Sequence, residues 1–125
     1  MRKRFAATVL FGLLGFPACT SGPSKVIPDQ IQGHWVTNTP GYETRYLQLE
    51  RDFVLIGIAP DETPSIQRVY RVDAEGNGRQ MTYKIYSTSA ESDYTLIVYY
   101  DPSNGGEIQL KNQGGIVWRR AAVSQ

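Results

Sequence analysis

Few residues in this chain could carry chemistry, and their spacing narrows the choice further. There is one histidine, His34, and one cysteine, Cys19. A zinc site needs about four His, Cys or carboxylate ligands held together, and neither residue has a companion at a ligand spacing. Ser-His-Asp chemistry would have to use His34, and no Gly-x-Ser-x-Gly turn is present to expose a serine. Asp73, Glu75 and Asn77 place oxygens at alternate positions, as the first half of a calcium loop does. The twelfth position of such a loop is Lys84, where a bidentate carboxylate is required. That run therefore reads as a hairpin turn. No metal, no cofactor and no catalytic group is expected, and the chain reads as a non-enzyme.

Tyrosine is the one polar, ring-bearing type in quantity, with eight copies. Tyr83 and Ile85 share one parity, and Tyr94, Leu96, Val98 and Tyr100 share another on the next apolar run. On paired strands they would face one interior. A tyrosine ring brings apolar area and a hydroxyl that seeks a partner when buried. Two outcomes fit: the rings fill a small core, or Tyr83, Tyr94, Leu96 and Tyr100 line a pocket for a small apolar or amphipathic ligand. Arg68, if it faces inward with Tyr70, would be a charge needing a partner or water, suited to an acidic head group. Val69 competes with it for that face.

The elements that must position these residues follow period two, broken by turn residues. Strands are expected at 31–37, 44–50, 53–58, 66–72, 80–87, 93–100, 107–111 and 115–120. Leu47 and Leu49 face in, while Tyr46, Gln48 and Glu50 face out. The run 53–58 is apolar on both faces and reads as a covered strand. Asp73–Gly78 and Asp101–Gly106 read as turns, the second with Pro102 to fix φ and Gly105 to take positive φ. The fold class is all-β: an antiparallel meander of about eight strands without a convincing helix. A small closed up-and-down barrel removes both sheet edges, and an open sandwich is the other arrangement.

The N-terminal residues address location. Arg2, Lys3 and Arg4 precede an apolar run from Phe5 to Leu14, and Pro17-Ala18 precedes Cys19. This is the layout of a secretory signal peptide over 1–18, too short for a span of about 20 apolar residues. Its end resembles the lipobox of bacterial lipoproteins. That resemblance implies a lipidated Cys19 as the mature N-terminus and, with Thr20 following, an outer-membrane destination facing the periplasm. Residues 19–30 then form the lipidated cysteine and a polar tether; from Thr20 on, its eleven residues as a flexible coil would span about 18 Å. Losing Arg2, Lys3 and Arg4 takes the formal net charge from +1 to −2, leaving no basic surplus for nucleic acid.

Gly33-His-Trp35 on the first strand and Val117-Trp-Arg-Arg120 on the last resemble the opening and closing strands of lipocalin-like domains. Tyr46-Leu-Gln-Leu-Glu-Arg-Asp-Phe53 is similar to the second hairpin of that family. The resemblance covers Ile31 to Arg120 in strand count and order, within a domain expected at 31–121, in the manner of the short bacterial lipocalin-like lipoproteins. It implies a barrel whose floor is closed by Trp35, with Arg119 or Arg120 packed across its ring, a contact worth about 0.5–2 kcal/mol. It also implies a binding module for a small hydrophobic or amphipathic ligand. The alternative from a different class is a non-catalytic interaction role, as an accessory subunit of an envelope complex or an inhibitor of an exported enzyme. The partners expected are the membrane through its anchor, a small ligand or an envelope protein, and no nucleic acid.

Overall fold

A computed structural model describes residues 22–77, 79–90 and 92–121. The signal-peptide reading, Cys19 and the first residues of the tether lie outside the described residues. Within them the protein is all-β. Nine strands follow in chain order: β1 (Gly22–Ser24), β2 (Gly33–Val36), β3 (Tyr46–Leu49), β4 (Phe53–Gly57), β5 (Ser65–Gly76), β6 (Met81–Thr88), β7 (Asp93–Asp101), β8 (Glu107–Leu110) and β9 (Trp118–Arg120). Among the described residues, no helix is long and apolar enough to cross a membrane.

β2 to β9 pair antiparallel with their neighbours in sequence. β2 also pairs with β9, and β5 with both β4 and β6, so eight strands close into a barrel. Closure leaves no free edge among these eight. Alternation decides what faces the lumen. Leu47 and Leu49 on β3 stand opposite Trp35 and Gly33 on β2, and opposite Ile56 and Val54 on β4. Met81, Tyr83, Ile85 and Ser87 on β6 match Tyr100, Val98, Leu96 and Tyr94 on β7. The core is one cluster that includes Trp35, Leu49, Val54, Val72, Tyr83, Ile85, Val98 and Ile108, each at most 2% exposed. On β4 the outward Phe53 and Leu55 are half-buried, so that strand is only partly covered.

Four local results differ from the sequence expectation. First, the spacer is not free from Gly22 onward. β1 pairs with Val72–Ala74 on the lower part of β5, beyond the reach of β4. Ile27 and Ile31 are completely buried, and the amide of Ile27 donates to the Arg51 carbonyl at 2.9 Å. Burial of two isoleucines outweighs the freedom of a polar, Pro-containing segment. A 3-10 turn at Asp29–Ile31 then delivers the chain into β2. Second, β5 runs on to Gly76 instead of turning at Asp73, because its register with β6 continues to Gly76 opposite Met81. Third, β9 begins only at Trp118, since turns occupy the residues around Gly114 and Gly115. Fourth, a bulge interrupts β5 between Val69 and Arg71. The extra residue changes parity, so Val69 and Val72 both face in while Arg68 and Arg71 both face out. The turn 101–106 is built as its composition suggests: Asp101 Oδ1 accepts from the Ser103 amide at 2.8 Å, Pro102 has φ −74°, and Gly105 has φ +82°.

Candidate functional site

The barrel has a closed end and a mouth. The closed end is organised by Trp35, whose Nε1–H donates to the Ile31 carbonyl at 3.0 Å. Arg120, at the end of β9, lies with its guanidinium carbon 4.5 Å from the Trp35 ring centroid. Its N–H groups donate to the carbonyls of Gly105 (3.1 Å), Gln32 (3.4 Å) and Gln30. Two glycines make room for it. A Cβ on Gly106 would meet Arg120 Nη1 at 2.6 Å, and Gly33, at φ +145°, lies against the aliphatic part of the same side chain. Arg119 points outward instead. Its Nη2 and Nε donate to Glu107 Oε2 at 2.8 and 3.2 Å. Of the two arginines, Arg120 is the one across the Trp35 ring.

The tyrosines and Arg68 are distributed, not gathered. Tyr83 is buried and its hydroxyl donates to Gln30 Oε1 at 2.8 Å, so its polar end is already occupied. Burial, and secondarily the neighbouring Tyr100, raises its phenol above the ordinary value. Tyr100 is also buried, beside Gly106 at the closed end. Tyr94 stands opposite Ser87 in the inward register but is 41% exposed. Arg68 is on the outer face, its guanidinium 5.2 Å from the Phe53 ring centroid, and Val69 takes the inward place. The inward reading of Arg68 is thus corrected. Exterior charge is what the β5 bulge accommodates. His34 is exposed on the outer face, stacked on Tyr46 with its Nδ1 3.3 Å from Gln48 Oε1. Asp73 accepts from Arg71 Nε at 2.8 Å, and Asn77 Oδ1 accepts from the amides of Arg79 and Gln80 in the β5–β6 turn.

At the mouth lies a cavity of about 320 Å³. Leu47 and Ile56 form one wall from β3 and β4, and Leu96 and Leu110 form the facing wall from β7 and β8. These strand pairs sit across the barrel from one another in the closed order. Trp118 on β9 and Tyr42, from the long β2–β3 connection, supply aromatic surface. Among the described residues, the lining includes Arg45 and Lys111 and no aspartate or glutamate. Arg45 lies 4.8 Å over the Tyr42 ring. Of the residues expected to line a pocket, only Leu96 does so here; Tyr83 and Tyr100 are packed at the other end.

Sequence reasoning did not single out Trp118, Gln113, Arg45 or Lys111. Trp118 was accessible in principle, because period two puts it on the same inward face as Arg120. Arg45 and Lys111 stand at the ends of the runs read as strands at 44–50 and 107–111, one residue outside β3 and β8, and Gln113 sits in a connection, where no periodicity reports direction. Comparison with protein families, with curated proteins and with solved structures found no match. What can be said of function therefore rests on the barrel's own residues.

Proposed function

We propose that this protein is an envelope lipoprotein, anchored through Cys19, whose lipocalin-like barrel binds a small amphipathic molecule in its mouth without catalysing a reaction. The observation that carries the binding part is the cavity of about 320 Å³ between facing apolar walls. Ligand sites of drug-sized molecules begin at about 300 Å³ and combine apolar walls with a few polar groups. The Trp35–Arg120 latch supports the lipocalin-like part, since it joins the first and last barrel strands where that resemblance implies it. The anchor rests on the sequence around Cys19 alone.

Native mass spectrometry of protein recovered gently from its own membrane fraction tests both parts in one spectrum. The expected mass is that of a chain beginning at Cys19 and carrying acyl groups, plus a few hundred daltons lost on denaturation. A chain without acyl mass sinks the anchor. A bare barrel that also fails to take up a fluorescent amphiphile sinks the binding role. Leu96→Trp, which puts a larger ring on the cavity wall, is expected to weaken uptake while lowering stability by no more than about 1–3 kcal/mol.

The interaction reading has its own support. Ile66, Tyr70 and Tyr99 stand on the outer face at 52%, 49% and 41% exposure. A protein partner, found in place of a small ligand in the same spectrum, would favour it.

A further inference from the structure

No strand of the closed ring is an edge strand, but neighbours in it differ in length. β7 spans nine residues and pairs with β6 from Asp93 to Tyr100. β8 spans four, and its register with β7 ends at Val98 opposite Leu110. One more bond follows, from the Lys111 amide to the Ile97 carbonyl at 3.1 Å, before the chain turns away. In an antiparallel strand both backbone groups of a residue point to one side, and that side alternates along the chain. Thr95 and Asp93 therefore turn their N–H and C=O groups the same way as Ile97. Among the described residues, no backbone bond reaches either of them on that side, and both residues are exposed.

The fold treats another overhang differently. Where β5 runs below β4, β1 pairs with it. Unpaired strand backbone invites a further strand, and proteins blunt it with lysine, proline or a covering segment. The stretch 93–96 carries neither lysine nor proline, and its one charge is Asp93. β5 also passes the end of β6, at Ser65–Gln67, but none of those residues lines the mouth cavity. Thr95, Leu96 and Ile97 do. A strand laid along upper β7 would turn alternate side chains toward the lumen, where Leu47, Ile56 and Leu110 offer apolar walls. Charge selects the occupant. Among the described residues, Arg45 and Lys111 line the cavity without a carboxylate, and neither forms an ion pair.

Resting on the ligand-binding reading above, we propose that the amphipathic ligand is a short, extended peptide of net negative charge. Its main chain pairs with Thr95 and Asp93 as an added strand, and an apolar side chain enters the cavity. In this mode main-chain bonds supply affinity, and pockets for alternate side chains supply specificity.

The test is titration calorimetry of the whole mature protein with acetyl-Glu-Leu-Thr-Leu-Glu-amide. It is compared with its glutamine counterpart and with two N-methylated forms, one blocked on both leucine amides, the other on the threonine and last glutamate amides. Decanoate serves as a ligand with no main chain. An added strand turns only alternate amides toward β7. One N-methylated form is therefore expected to bind about tenfold more weakly than the parent while the other matches it. The acidic peptide should bind about threefold more tightly than the glutamine one, and Arg45→Gln with Lys111→Gln should shrink that difference. The Thr95 amide should gain protection from hydrogen exchange when the peptide is bound. Thr95→Pro removes that donor without touching the bonds to β6, and should lower peptide affinity about tenfold while the β6 amides stay protected. Equal binding of both N-methylated forms overturns strand addition. Equal binding of the glutamine peptide overturns the charge preference. A dimer of this chain that Thr95→Pro dissolves gives the stretch to a second copy and overturns the peptide. Uptake of decanoate without the peptide overturns this proposal while the binding role stands; if neither binds, both readings fall.

Discussion

Arg120 joins more of the closed end than any other side chain described. One guanidinium covers Trp35 and ties the connection before β2 to the turn before β8. Arg120→Ala removes a cation–π contact and charge-assisted bonds to carbonyls, and is expected to lower unfolding free energy by about 2–3 kcal/mol in urea titrations. Arg119→Ala breaks only a surface pair with Glu107 and should change it by less than about 1 kcal/mol. Equal effects would mean that the latch is not where the stability lies. Tyr83 makes a prediction in pH. Its folded-state phenol keeps its proton longer than the unfolded chain's, so this contribution is complete below about pH 10 and is lost as pH rises through the folded value. Tyr83→Phe should be about 1 kcal/mol less stable at neutral pH, through the lost bond to Gln30. Its stability should fall less steeply in alkali, as read by circular dichroism. At this scale the sequence pointed to a Trp–Arg contact but not to which arginine; parity decides, since Trp118 and Arg120 alternate around the outward Arg119.

At the scale of elements, all eight barrel strands were legible because their apolar alternation is set by the lumen they surround. What was not legible depends on partners distant in sequence. β1 has three residues, including a proline, and becomes a strand only because the lower part of β5 extends beyond β4. The bulge in β5 leaves no mark in its composition, yet it decides that both arginines face out. The cavity lining was the least legible part, because the connections after β2 and β8 complete it. Ile27 offers the test for the N-terminal segment. Ile27→Ala should cost about 2–5 kcal/mol, as expected for a fully buried side chain. Hydrogen exchange in residues 72–74 should also quicken as β1 loosens. A change confined to a few tenths of a kcal/mol would mean that this segment lies on the barrel without holding it.

For the molecule as a whole, the two ends divide the work. The closed end holds the first and last strands together, and the mouth is left with a cavity that its own side chains do not fill. The path of the first strand adds a direction to this division. β1 meets β5 near its lower end, with Gly22 opposite Ala74, two residues before Gly76 begins the turn into β6. Cys19 precedes Gly22 by three residues, a distance that a fully extended chain covers in at most about 11 Å. An acyl chain on that cysteine would leave the barrel almost no leash. It would stand base-down on the lipid, with its opening turned toward the aqueous compartment. A guest would then arrive from solution or from a carrier, since the opening would have no lateral access to the bilayer beneath it.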